Sequence, residues 1–234
     1  MSRTILFVLA GLAVCAGLGE AAYGTSILRY RDLSLGTDVV DGALVSLGLT
    51  ATLASDIPTF NTLLASQAWD LVIVQHQNEP TAPDVSGYLA GGGRVLAATW
   101  LDGTIAAVCD ADVVGYNANP VGTDAHAIFA GVGPTMALVN PGWGTFSLAL
   151  APLGTAQGLG TLGGGNAVIL GNDGRSLLQG PLFDTFADVA QGQLFAANEI
   201  EYLLGGVPPI PEPLTVAGLA LGLGALGTYL RRRK

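Results

Sequence analysis

Apolar and polar positions follow one another in short, regular runs along the first half of the chain. Residues 26–30, Ser-Ile-Leu-Arg-Tyr, read as a first strand. Val39, Val40, Ala43, Leu44 and Leu47 then recur at helical spacing, with Asp38 at the start as a helix-capping residue, so the pattern predicts a helix over 38–47. A short strand follows at 50–54. Asp56-Ile57-Pro58 opens a second helix through residue 64, with the proline in the first turn where its missing N–H costs nothing. Leu71-Val72-Ile73-Val74 is a continuous apolar run, the signature of a strand buried on both faces. A short helix at 84–90, stopped by Gly91-Gly92-Gly93, and a strand at 94–98 complete the series. Strands that alternate with helices through short connections predict a parallel sheet with helices on both faces.

Beyond residue 100 the rhythm changes. One more helix is expected at 101–111 and a short strand at 112–115. Short strands separated by Gly and Pro are expected at 135–139, 146–149 and 155–159. Residues 167–170 and 175–179 read as a β-hairpin closed by Asn172-Asp173-Gly174, because glycine tolerates positive φ in a tight reversed turn. A helix at 193–204 follows, ended by Gly205-Gly206. The fold class expected is therefore α/β, a flavodoxin-like parallel sheet with helices on both faces and a β-rich C-terminal extension.

The two ends follow different patterns. Arg3 precedes the apolar run 5–18 and the small residues around Gly19-Glu20-Ala21-Ala22, the order of a secretory signal peptide over 1–22. Pro208-Pro209-Ile210-Pro211 makes a stiff spacer, within 207–213, after a domain at 23–206. Residues 214–230 carry no charge. As a helix they would span about 25 Å, near the short limit for crossing a bilayer. Arg231, Arg232, Arg233 and Lys234 follow directly, and such a cluster stays on the cytoplasmic side. The expected organisation is an exported α/β domain with a transmembrane helix at 214–230 and a basic tail at 231–234.

Charge narrows the partners. Of 234 residues only 12% are charged. Between Tyr23 and Ile210 there are four arginines, no lysine and 16 acidic residues, a net charge of −12. Nucleic-acid recognition needs a basic footprint and is excluded. Cys109 is the one cysteine outside the leader, so an internal disulfide in the exported domain is excluded too. His76 and His126 stand far apart without flanking ligands at zinc spacing, and no metal or cofactor is expected.

Pro211-Glu212-Pro213, an apolar helix and an arginine cluster, in that order, resemble the PEP-CTERM sorting signal. That resemblance implies Sec-dependent export in a Gram-negative bacterium, recognition of the tail by an exosortase, at least transient membrane anchoring, and delivery to the cell surface or extracellular matrix. Carriers of the signal usually make exopolysaccharide, which makes that polymer an expected partner.

The alternating half resembles the class I glutamine amidotransferase-like superfamily, which includes the trehalose-utilisation-like proteins. The residues that carry the resemblance are 70–74, 88–98 (Tyr-Leu-Ala-Gly-Gly-Gly-Arg-Val-Leu-Ala-Ala) and 126–132 (His-Ala-Ile-Phe-Ala-Gly-Val). Amidotransferases of this class place a nucleophilic cysteine on the turn after the strand matching 94–98. Here that turn is Thr99-Trp100-Leu101, and no catalytic residue is carried over.

Ligands of open α/β sheets bind beyond the carboxyl ends of the strands. Asp32, His76, Gln77, Thr99 and Trp100 fall there and are the candidate binding residues. Acidic, amide and aromatic groups of this kind suit a sugar; the same residues also suit hydrogen-bonded loops around a degenerate site. Two functions follow: a non-catalytic, polysaccharide-associated envelope protein, or a hydrolase or transferase acting on surface glycans around Asp32, His76 and Thr99.

Overall fold

The computed structural model describes residues 25–101 and 103–205. The segments expected to be a signal peptide (1–22), a proline spacer with a sorting motif (207–213), a transmembrane helix (214–230) and a basic tail (231–234), together with Asp102, lie outside the described residues. Among the described residues no helix is long and apolar enough to cross a membrane.

The alternation read from the sequence builds one half of a seven-stranded sheet. Its elements are β1 (Ile27–Arg31), α1 (Val39–Ser46), β2 (Thr52–Ala54), α2 (Ile57–Ser66), β3 (Leu71–His76), α3 (Ser86–Ala90) and β4 (Val95–Thr99). All four strands run parallel, in the order β2-β1-β3-β4. Every residue of β3 and β4 is buried, as the unbroken apolar runs require. The caps are the expected ones: Asp38 accepts the N–H of Val40, and Asp56 accepts that of Thr59. Each satisfies a backbone donor that the first helical turn leaves without a partner.

The second half departs from the expectation. Next come α4 (Thr104–Val108), β5 (Ala111–Tyr116), β6 (Val121–Gly122), β7 (Thr135–Met136), β8 (Leu148–Pro152), β9 (Gln157–Leu159), β10 (Thr161–Leu162), β11 (Val168–Gly171), β12 (Ser176–Gln179) and α5 (Val189–Leu203). The hairpin β11–β12 is not part of a separate extension. Strand β12 pairs parallel with β4, and β11 and β9 continue the same sheet antiparallel, so its order is β2-β1-β3-β4-β12-β11-β9. The expected strand at 135–139 shrinks to two residues, and the expected helix at 101–111 to five. The hairpin turn is a short 3-10 turn in which Asn172, Asp173 and Gly174 all have positive φ. Small sheets β10-β6-β7 and β5-β8 flank the main one.

Two apolar cores lie on opposite faces of the sheet. One joins α1 and α5 to Leu71, Ile73, Leu96, Ala98 and Leu177. The other joins α2, α3 and α4 to Leu28, Val72, Val74, Val95, Ala97 and Leu178. Helix α5 starts at its cap Asp188, which accepts the N–H groups of Ala190 and Gln191, five residues before the expected helix at 193. Gly192 lies inside it where α1 comes close: a Cβ there would sit 2.7 Å from Val39 and 2.8 Å from Phe186. Close approach therefore offsets the usual cost of a helical glycine.

Candidate functional site

The carboxyl ends of β1, β3, β4 and β12 converge on one edge, and the side chains there are mostly spent on one another. The Asp32 carboxylate accepts three consecutive backbone N–H groups, those of Gln77, Asn78 and Glu79, each at 2.8 Å. It holds the loop after β3 instead of facing solvent.

His76 and Thr99 end adjacent strands and pair in register. Both are fully buried. The His76 Nε2 lies 2.6 Å from the Glu79 carbonyl and Nδ1 lies 2.9 Å from the Thr99 hydroxyl. A carbonyl only accepts, so Nε2 carries the proton and Nδ1 accepts from Thr99. Burial lowers the imidazole below its ordinary value, against the opposing pull of the Glu79 carbonyl and the Asp32 and Glu79 charges. The ring is therefore neutral. The Thr99 oxygen also accepts the Leu101 N–H at 3.2 Å. These two residues line a cavity of about 80 Å³ with Pro80, Thr81, Ala82, Leu101, Thr104 and Ile105.

On the other face of the same edge stands a charged group that the sequence pattern does not single out. Arg29 is 2% exposed and bonds Asp38, Asp41 and the Gln75 amide oxygen. Arg31 bonds the same two carboxylates, at 3.1 and 2.7 Å. The pairing is internal: the N-terminal turn of α1 is tied to β1 and β3.

Asp184 is a second residue of this edge without a place among the sequence candidates. It follows β12, is 2% exposed, and accepts the N–H groups of Leu35 (2.7 Å) and Gly36 (3.0 Å) and the Gln77 amide (2.9 Å). Gly36 is required where it stands, because a Cβ there would lie 2.1 Å from the Asp184 carbonyl oxygen. Only the placement of β12 beside β4 brings Asp184 to this edge. An acid just after a short apolar strand is the one signal the sequence offers for it.

Of the five candidate residues, Asp32, His76, Gln77 and Thr99 thus belong to one hydrogen-bonded edge, and Trp100 adjoins them, packed against the α1/α5 core with its indole N–H without a hydrogen-bond partner among the described residues. Cys109 is far from this role. It ends α4 fully buried, and burial pushes its thiol up to about 12. Among the described residues, no three His, Cys, Asp or Glu side chains gather to hold a metal ion.

No family model matches the chain, and no curated protein matches it. Solved structures do. A Thermoplasma acidophilum protein provisionally named as a GMP synthase component has 12% identity and a TM-score of 0.53, covering 79% of this chain and 94% of that one. A Thermotoga maritima glutamine amidotransferase has 11% identity and a TM-score of 0.48, covering 81% and 97%. A Salmonella typhimurium protein described as cytoplasmic has 12% identity and a TM-score of 0.48, covering 78% and 99%. Identities this low speak to the fold alone: the chain shares with the Thermoplasma protein an α/β fold with a largely parallel central sheet.

Proposed function

We propose that this chain is an exported cell-envelope or extracellular-matrix protein, sorted by its tail, whose α/β domain associates with polysaccharide without catalysing a reaction. The succession of motifs in the tail sequence carries the reading: Pro211-Glu212-Pro213, an uncharged run at 214–230, and Arg231 to Lys234. Sec export, exosortase recognition and transient anchoring through the tail follow from it.

The buried Thr99 supports the non-catalytic half. The hydroxyl in the place of a nucleophile is inaccessible, and the nearby Leu101 N–H is already used on it. A cavity of about 80 Å³ falls short of the roughly 300–1,000 Å³ of ordinary ligand pockets. Mass spectrometry of the surface-located protein tests the sorting: a C-terminus cut back to the proline motif is expected, and an intact end at Lys234 would overturn processing. Pull-down with the host's own matrix polysaccharide tests the association; no retention would overturn it.

A second reading has one observation in its favour. Thr99 donates to His76 at 2.9 Å, the contact an activated hydroxyl needs. A hydrolase or transferase acting on surface glycans would use this pair, with Asp32 holding the loop. Turnover of a glycan substrate that disappears in the triple variant Asp32→Ala, His76→Ala, Thr99→Ala would establish it.

A further inference from the structure

Along helix α5, away from the carboxyl edge of the sheet, lies a groove with an open cavity. One wall is the loop 126–131, which contains a 3-10 turn at Ala127–Phe129 and runs against the direction of the helix. A Cβ on Gly131 would lie 3.4 Å from the Leu194 side chain. The Asn198 amide donates to the carbonyls of Ala130 (2.9 Å) and Ile128 (3.1 Å). The His126 ring packs on Tyr202, with centroids 5.2 Å apart. From Leu194 to Tyr202 these contacts follow about 12 Å of helix. The same loop lines a cavity of about 340 Å³ with Asp124, His126, Phe129, Gly131 and alanines at 125, 127 and 130. That volume is within the range of about 300–1,000 Å³ of ordinary binding pockets.

The polar groups of this cavity are already engaged. Asp124 accepts the N–H groups of His126 (2.8 Å) and Gly160 (2.6 Å). The His126 Nδ1 faces the Ile128 N–H, and burial lowers the imidazole below its ordinary value against the opposing Asp124 charge, so the ring is neutral. Two carbonyls of the loop are taken by Asn198. Phe129 stacks on Phe195 at 5.1 Å. The remaining surface is methyl and ring carbon, and it suits an uncharged apolar segment that asks for few hydrogen bonds.

Helix α5 delivers such a segment to the His126 end. Its C-terminus is closed by Gly205 at φ +81, with the N–H groups of Leu204 and Gly205 returned to the carbonyls of Ile200 and Tyr202. A residue in the left-handed region ends the helix and turns the chain off its axis. Next in sequence come Gly206 and then Val207-Pro208-Pro209-Ile210-Pro211. This run has no charge, and its prolines have no N–H to satisfy. A proline-rich run also enters an aromatic-lined groove with little loss of chain entropy. At 3.1 Å per residue it spans about 12 Å, the length of the groove. A tether this short holds it at a local concentration on the order of millimolar, which favours it over a free ligand.

We propose that residues 207–211 of the same chain dock in this cavity, antiparallel to α5, with Val207 beside His126 and Ile210 toward Gly131. The motif Pro211-Glu212-Pro213 then leaves the domain at the Leu194 end of the groove instead of at the last turn of α5. The docking does not depend on whether that motif is processed, or on polysaccharide association.

The test uses the full chain in detergent and follows amide hydrogen exchange by mass spectrometry. The comparison is with the double variant Val207→Ser, Ile210→Ser, which leaves every residue of the domain in place; near-ultraviolet circular dichroism checks that it folds. The peptide covering 124–131 should exchange at least about fivefold more slowly in the wild type, while the peptide covering α3 exchanges equally in both. A second measurement uses paired substitutions under mild oxidation. A disulfide needs its two Cβ atoms about 4 Å apart, so Ala130→Cys with Ile210→Cys should bridge within one chain, and Thr62→Cys on α2 with Ile210→Cys should not. Equal exchange of 124–131 in both proteins overturns the docking. So does an Ala130→Cys, Ile210→Cys pair that stays reduced, or one that bridges two chains, which would seat a neighbouring copy's segment in the groove instead.

Discussion

The Gln77 amide donates to the Asp184 carboxylate at 2.9 Å, joining residues 107 positions apart. The same carboxylate holds the Leu35 and Gly36 N–H groups, so one buried acid clamps the loops after β1, β3 and β12. Asp184→Ala would leave three donors without an acceptor and is expected to cost about 3–4 kcal/mol. Asp184→Asn should cost only about 1 kcal/mol, because Gln77 can turn its unused Oε1 toward the new amide. Urea unfolding of both variants checks this, and equal losses would show that the clamp is not made through these bonds.

How much of this edge the sequence disclosed depends on how local each cause is. Helices α1 and α2 announced themselves because Asp38 and Asp56 cap within three residues. Strands β3 and β4 did so because burial on both faces demands an unbroken apolar run. Strand β12 read as half of a hairpin, which it is. Its parallel partnership with β4 is set by packing between segments some 80 residues apart, and no local pattern encodes that. Asp184 was hidden for the same reason. Gly192 concealed the first turn of α5, since a glycine lowers helix propensity unless a neighbour needs the space. Asp32, His76, Gln77 and Thr99 were found at the strand ends by topology, but their inward bonding was not legible.

Cys109 should behave as a core side chain. With its thiol pushed up to about 12 by full burial, it should resist iodoacetamide at pH 8 in the folded protein and react once urea unfolds it. Peptide mapping of the 109-containing fragment reads the result. Rapid labelling of the native protein would restore this thiol as a reactive group.

Glu199 sits at 0% exposure on α5 with neither oxygen hydrogen-bonded, and burial pushes its carboxyl well above the ordinary 4.5. The folded state therefore holds a proton that the unfolded state releases above that value, and this group lowers stability as pH rises. His76 and His126 act oppositely: burial lowers both below 6.5, so the unfolded chain takes up protons first and stability falls on acidification. In Glu199→Gln only the histidine slope remains, and stability should climb from pH 5 to pH 7 more steeply than in the wild type. Glu199→Met, close in volume, should stabilise the domain at pH 8 by about 1–3 kcal/mol. Thermal melts across pH check both.

Asp41 governs the acid end. Burial raises its carboxyl, but the charges of Arg29 and Arg31 and their hydrogen bonds outweigh that and hold it below the ordinary 3.8. Its stabilising contribution is therefore complete above that value and is lost as pH falls through the lower, folded one. Asp41→Asn should remove this part of the acid transition while leaving the slope above pH 5 unchanged. A midpoint for acid unfolding that does not move would show that the pair with Arg29 and Arg31 contributes nothing at this exposed position.

Thr99 separates a structural hydroxyl from a reactive one. Its oxygen gives a hydrogen bond to His76 and accepts one from Leu101. Thr99→Val keeps the volume and leaves both partners unpaired in a buried place, at an expected cost of about 2 kcal/mol. Thr99→Ser keeps the hydroxyl and loses one methyl, at about 1 kcal/mol. If the pair only supports the loop after β3, the valine variant should retain polysaccharide as the wild type does, once measured at a temperature where both are folded. If it is instead a nucleophile and its base, serine should preserve turnover of a glycan and valine abolish it. Retention and turnover thus respond to different substitutions of the same residue, and measuring both on the two variants decides which role the buried hydroxyl has.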